Sequence, residues 1–222
     1  NQSIYGSGFR WKNVHESLKF TGSRSGTLRT NHRSTREIGL AANSYLANGL
    51  LEAVEEEIRF EHSGALPAVR GVDSREAEVA LLVRFLKEAS REARLPATSS
   101  AVLVPSEKSG KPLAEALSAA GLPTEFMAGR DLDLKKPVVK IVTLKSAKGL
   151  EFPVVALAGF VGMPPEAGEK GSPEETEEAL SRERRSYFVG MTRAMRALLV
   201  AIPKGTTNPL LQGFSPELWN VR

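Results

Sequence analysis

The sequence predicts an α/β fold, a mostly parallel sheet with helices on both faces, from three observations. Runs with strand character alternate with runs of helical periodicity, the pattern of parallel strands joined by helical crossovers. Two runs, Val138 to Thr143 and Val154 to Phe160, are apolar and β-branched, as buried strands are. Between Ser74 and Leu95, the residues Val79, Leu82, Val83, Leu86, Ala89 and Ala93 recur at helical spacing and give one apolar face.

In chain order, Lys12 to Phe20 reads as a short helix and G-S-R-S-G at Gly22 to Gly26 as a flexible boundary. Leu28 to Asn31 reads as a strand; Ser34 or Thr35 then caps a helix that runs to about Leu46 and ends at Asn48-Gly49. Arg33 thereby falls at a strand-to-helix junction. Pro67 to Val72 is a strand, followed by the amphipathic helix, whose Arg75, Arg84, Lys87, Glu88 and Arg91 face solvent. Ala101 to Pro105, Lys111 to Ala120 and Thr124 to Met127 read as strand, helix and strand.

The two central strands flank a small polar segment with Lys145, Ser146, Lys148, Gly149 and Glu151. Gly149 permits a turn with positive φ, and Pro153 sits where a strand can start without its N–H. Turns at the ends of parallel strands are where such folds place ligand contacts. Met163 to Glu175, rich in Pro, Gly and charge, reads as a mobile loop. The acidic run Glu174 to Glu178 then opens a helix reaching about Val189, as the helix dipole favours. Ala197 to Ile202 closes the sheet, and a Pro-rich tail packs Leu211, Phe214, Leu218 and Trp219 back on the domain.

With 222 residues the chain suffices for one sizeable domain or a domain with a small appendage. Its 30 Lys and Arg against 26 Asp and Glu leave a net charge of +4, which suits a phosphate-rich partner. There is no cysteine, which excludes disulfides and thiolate metal sites and fits a reducing cytosol, so a cytoplasmic location is expected. No apolar run approaches about 18 residues, so neither a transmembrane helix nor a membrane partner is expected. A signal peptide is not legible either. The chain has no initiator methionine and opens inside a motif, as part of a longer protein would.

Three motifs in order carry a family resemblance. Thr143 to Val155, T-L-K-S-A-K-G-L-E-F-P-V-V, resembles T-x-H-x-x-K-G-L-E-F-P-V-V of the UvrD/Rep/PcrA-type superfamily 1 DNA helicases. Leu28 to Asn43 resembles their N-Y-R-S-T-x-x-I-x-x-A-A-N segment, and Arg182 to Ala194 their E-E-R-R-L-x-Y-V-G-I-T-R-A. Asn1 to Trp11 resembles the end of the family's third motif, Q-S-I-Y.

The resemblance implies a RecA-like (P-loop NTPase-type) C-terminal motor domain over residues 23–205. It makes residues 1–22 the end of a first motor domain with a linker, and 206–222 a tail packed on the domain. The large accessory subdomain of the family is implied to be absent, or reduced to a loop near Ala128 to Lys136, because Arg33 and Thr143 are only 110 positions apart. By the same resemblance Gln2 senses the nucleotide γ-phosphate, Arg33 contacts it, and Arg193 is the arginine finger. Glu151 binds the ribose within a nucleotide segment that includes Gly149. His32 stands where the family stacks a tyrosine on adenine, and Glu183 and Arg185 hold local structure. Tyr5 and Phe9 stack on bases of single-stranded DNA, and Thr143, Lys145, Ser146 and Lys148 hold its backbone, with Lys145 in place of the family's histidine.

The implied function is the C-terminal motor domain of an ATP-dependent, 3′→5′ translocating DNA helicase of the repair or replication type. Its partners would be single-stranded DNA and the N-terminal RecA-like domain of the same protein. ATP and Mg2+ would bind only together with that first domain, and no metal ligand is expected in this chain. A G-x-x-x-x-G-K-[S/T] loop is not found, since Gly110-Lys111 is followed by Pro112, so the chain alone is expected to be inactive. The competing reading is a helicase-like remodeller or binding module that acts on a protein–nucleic acid complex with little unwinding, with that protein complex as a partner.

Overall fold

A computed structural model describes residues 30–47, 59–129, 132–163 and 173–222. The expected helix at Lys12 to Phe20, the boundary at Gly22 to Gly26, and the site candidates Gln2, Tyr5 and Phe9 lie outside these residues, as does most of the expected loop from Met163 to Glu175.

In chain order the elements are β1 (Thr30–Thr35), α1 (Arg36–Ala47), β2 (Arg59–His62), β3 (Ala68–Val72), α2 (Arg75–Glu92), β4 (Ala101–Val104) and α3 (Glu107–Ala119). They continue with β5 (Thr124–Phe126), β6 (Val139–Thr143), β7 (Phe152–Leu157), α4 (Pro173–Met191), β8 (Ala194–Pro203) and β9 (Asn220–Val221). The main sheet has seven strands, all parallel, in the order β5-β6-β4-β7-β8-β3-β9, while β1 and β2 form a separate parallel pair. This is the α/β architecture that the alternation of elements predicts.

Strand periodicity divides the core. In β4, Ala101 and Leu103 join the apolar cluster under α1 and α4, whereas Val102 and Val104 join the cluster under α2 and α3. All four are buried, which is why no polar alternation is visible in that run. Ser74 caps α2 by accepting the Ala77 N–H at 3.2 Å.

Several boundaries differ from expectation. The first strand continues to Thr35, so Ser34 and Thr35 do not cap α1; they are extended and buried in a ladder with β2, a strand that the sequence reading missed. Asn31 contributes by accepting the N–H groups of Arg33 and Ser34 at 2.9 and 3.1 Å. Arg33 therefore lies within β1 rather than at a strand-to-helix junction. Helix α3 starts at Glu107, four residues earlier than expected, because Ser106 caps it and Pro112 is accommodated inside. β7 begins at Phe152, and Pro153 falls at the register shift between Phe152 and Val154 against β8, where a missing N–H costs no ladder bond. It ends at Leu157, short of the expected Phe160.

The tail is built into the domain. Leu211 and Trp219 are buried, Phe214 stacks on Tyr45 at 5.4 Å, and the Trp219 Nε1–H donates to the Ala41 carbonyl at 3.2 Å. Asn220–Val221 then adds β9 beside β3. Between β5 and β6 the chain has only residues 127–138. No helix among the described residues is long and apolar enough to cross a membrane.

Candidate functional site

Three motif residues far apart in sequence meet beside the entry ends of β7 and β8. β7 and β8 are neighbours, and the Phe152 N–H donates to the Arg193 carbonyl at 3.0 Å, which sets the residue before β7 next to the residue before β8. The residue before β7 is Glu151. Its carboxylate accepts a hydrogen bond from the Arg33 Nε of β1, across 118 positions of sequence.

Arg193 is held from three sides. Its Nε donates to the Val189 carbonyl at 3.0 Å, Nη1 to the Leu150 carbonyl at 3.3 Å and Nη2 to the Thr192 hydroxyl at 3.2 Å. Burial pulls its pKa down from the ordinary arginine value, the Arg33 cation adds to this, and the Glu151 carboxylate opposes it. The guanidinium nonetheless stays charged. Arg33, Glu151 and Arg193 thus share one electrostatic neighbourhood with two cations to one anion.

His32 is adjacent in β1 but has a different partner: its Nδ1 lies 2.7 Å from a carboxylate oxygen of Glu61 in β2, and both side chains are mostly exposed. Sequence reading had no access to Glu61, because nothing in Arg59–His62 marked a strand.

The remaining candidates occupy the turn after β6. Leu144 and Ala147 are buried and anchor it, and the Leu144 N–H donates to the Val104 carbonyl of β4 at 2.9 Å. The Thr143 hydroxyl donates to the Ser146 hydroxyl at 2.9 Å and accepts the Ser146 N–H at 3.1 Å. Lys145 and Lys148 are exposed. Gly149 has φ +83°, the backbone state expected of it.

The structure separates these two groups. Val104 of β4 is level with Thr143, and Ala101 is level with Val155, three residues into β7. The exit of β6 and the entry of β7 are therefore about 20 Å apart along the strands. Residues 144–151 cross back over the sheet between them. Lys145 and Ser146 belong to the exit edge; Glu151 and Arg193 belong to the entry edge.

Helix α4 also contributes a structural arginine that the sequence does not single out. The motif suggests local structural roles for Glu183 and Arg185; the buried charged side chain of α4 is that of Arg184. Arg184 donates to the carbonyls of Tyr45 at 3.1 Å and Pro209, and its guanidinium lies 4.7 Å from the Tyr45 ring centroid. Two surface hollows lie elsewhere, one of about 500 Å³ between β3, β8 and the tail, the other of about 700 Å³ beside the second half of α2. Neither is lined by Arg33, Glu151 or Arg193. Among the described residues, no group of three or more His, Asp and Glu side chains could hold a metal ion.

Residues 127–205 match the family model of the UvrD-like helicase C-terminal domain. Over these residues the chain is similar to the UvrD-like helicase C-terminal domain. Related proteins include the ATP-dependent DNA helicase UvrD1 of Mycobacterium leprae, 37% identical over 123 residues, which cover 54% of this chain and 15% of that protein. The protein of the same name in Mycobacterium tuberculosis H37Rv is 48% identical over 65 residues, 29% of this chain and 8% of that protein. The chain thus spans a small part of these relatives' length. Among solved structures, the C-terminal domain of a possible DNA helicase from Lactobacillus plantarum matches with a TM-score of 0.58 at 23% identity, over 86% of this chain and 98% of that one. This places the fold of the UvrD-like domain with the RecA-like helicase C-terminal domains.

Proposed function

We propose that this UvrD-like domain is the trailing half of an ATP-driven DNA motor that translocates 3′→5′ on single-stranded DNA, with Arg33 and Arg193 acting on nucleotide phosphates. The observation that carries the reading is the convergence of Arg33, Glu151 and Arg193, one from each of three motifs, on one edge of the sheet. Two guanidiniums around one carboxylate leave a net positive site, and planar guanidinium forks suit phosphate oxygens. The site is open rather than enclosed, as half of a site shared with another domain would be.

The bound group, ATP with Mg2+, supplies the phosphoanhydride whose hydrolysis drives movement. The residues of this chain would do the following. Arg193 stabilises the charge that develops on the transferred phosphoryl group. Arg33 contacts the γ-phosphate, Gln2 senses it, and Glu151 accepts from the ribose hydroxyls while Gly149 shapes its turn. His32 lies on the adenine side. The Arg33–Glu151 pair is 41% and 42% exposed, so it contributes about 0–1 kcal/mol and can yield to phosphate and ribose. On the exit edge, the turn with Thr143, Lys145, Ser146 and Lys148 would hold the DNA backbone without reading sequence, and Tyr5 and Phe9 would stack on bases.

The test is DNA-stimulated ATPase of the intact parent protein, wild type against Arg193→Ala and Arg33→Ala. A loss of turnover of about a thousandfold with ATP binding largely kept is expected of a finger residue. Unchanged turnover in both variants would sink the reading. A second reading, a remodeller of a protein–nucleic acid complex with little unwinding, is favoured by the short connection between β5 and β6, which leaves no room for an accessory subdomain there. ATPase activity without strand displacement would select it.

A further inference from the structure

The motifs do not account for the larger of the two hollows, the one of about 700 Å³ beside the second half of α2. Four large apolar side chains among the described residues are exposed, and two of them, Leu66 and Leu95, line this hollow at 43% and 40% exposure. Phe85 of α2 and Met195 of β8 line it as well, both only half-buried. Single exposed leucines are ordinary on a protein surface, whereas apolar side chains gathered in one concavity mark a place where another surface docks.

The position of the hollow says which surface. Pro153 and Met195 line it, and they follow Glu151 and Arg193 by two residues each. Two residues along a strand span about 7 Å, so the hollow opens beside the entry edge on which Arg33, Glu151 and Arg193 converge. A domain of even 100 residues has a radius of gyration of about 13 Å. One that closes on nucleotide at Arg193 has the reach to cover the hollow too. The relatives leave ample chain for such a domain, since the match covers 15% of the Mycobacterium leprae protein. The polar residues of the hollow are Glu88 and Glu92, one turn apart on α2, and Arg196 of β8, all exposed. Neither carboxylate forms an ion pair among the described residues. Two carboxylates to one guanidinium leave a negative rim around an apolar floor, and the complement is an apolar segment that carries lysine or arginine.

We infer that this hollow is a docking surface for the first motor domain of the same protein, filled by an apolar, basic segment of that domain when the two halves close on ATP. The inference rests on the half-site reading above and deepens it. Closure is held by nucleotide phosphates at Arg193 and by burial of Leu66 and Leu95 a short way along the same edge. Nucleotide and docking favour the same closed state, so each strengthens the other.

The test uses the intact parent protein carrying Leu95→Cys. Lys204→Cys is the control, because Lys204 follows β8 on the exit edge and its side chain is 67% exposed. Labelling of each introduced thiol by N-ethylmaleimide is read by peptide mass spectrometry. A non-hydrolysable ATP analogue with Mg2+ should slow labelling of the Leu95→Cys thiol by about tenfold and change that of the Lys204→Cys thiol by less than about twofold. Leu66→Cys repeats the measurement should Leu95→Cys not fold. The double variant Glu88→Lys/Glu92→Lys should raise the ATP concentration for half-maximal turnover by about fivefold or more, with kcat at saturation within about twofold. Labelling at Leu95→Cys that ignores the analogue would overturn the inference. Protection that grows with protein concentration would assign the hollow to a second copy and overturn it too. Turnover left unchanged by Arg193→Ala would sink the half-site beneath it, whereas turnover lost in that variant with labelling blind to the analogue would sink the docking surface alone.

Discussion

Gly149 stands at φ +83° with no atom within 4 Å of where a Cβ would be, so its side chain is excluded by backbone conformation and not by crowding. Gly149→Ala should cost about 1–2 kcal/mol, read as a lower denaturation midpoint, and a neutral result would mean that the turn relaxes freely. Glu37 gives a residue-scale prediction of another kind. Its carboxylate accepts the Ser63 hydroxyl and the Gly64 N–H, both at 2.7 Å, which ties the first turn of α1 to the chain after β2. Burial pushes its pKa up, but the Ser63 hydroxyl, the backbone N–H groups of Glu37 and Gly64 and the Arg36 cation outweigh this and leave it below its ordinary value. A depressed carboxylate stabilises the fold above its unfolded pKa and loses that contribution as pH falls through the folded one. Glu37→Gln should therefore be less stable than wild type by about 1 kcal/mol at pH 7, with the gap closing below about pH 4. A gap that persists in acid would point to packing instead. The glycine was legible as a turn; the bonds of Glu37 were not, because their partners follow a strand with no visible pattern.

At the scale of elements, Arg184 joins three pieces that are distant in sequence: α4, the C-terminal end of α1 at Tyr45, and the turn at Pro209–Leu211. Tyr45 reinforces the junction by donating its hydroxyl to the Leu210 carbonyl at 2.8 Å. Arg184→Met keeps much of the side-chain length but leaves buried carbonyls unpaired, and it should destabilise the domain by about 2–4 kcal/mol in urea titration. A loss below about 1 kcal/mol would show that water replaces the guanidinium. The sequence does not single out Arg184, because adjacent arginines on one helix look alike until the opposing surface is known. The same limit explains β1: Ser34 and Thr35 have the chemistry of helix caps, but the pairing of Thr35 with His62 of β2 and the hold of the Asn31 side chain on the Arg33 and Ser34 N–H groups keep them extended.

For the whole molecule, the proposed site is divided between an entry edge that faces nucleotide and an exit edge that faces DNA, about 20 Å apart along the strands and joined by residues 144–151. A site with its cations here and no phosphate loop in the chain predicts that the 222-residue chain alone turns over no ATP beyond an Arg33→Ala/Arg193→Ala control. A coupled assay at high protein concentration checks this, and turnover above that control would refute the half-site. The sequence by itself determined the alternation of strands and helices, the buried central pair and the motif residues, because these depend on local periodicity and on short runs of particular side chains. Tertiary structure alone decided that Arg33 pairs with Glu151 and that Lys145 and Arg193 stand at opposite edges. Those facts depend on strand order and register, which bring together residues up to 118 positions apart, and no local pattern encodes them.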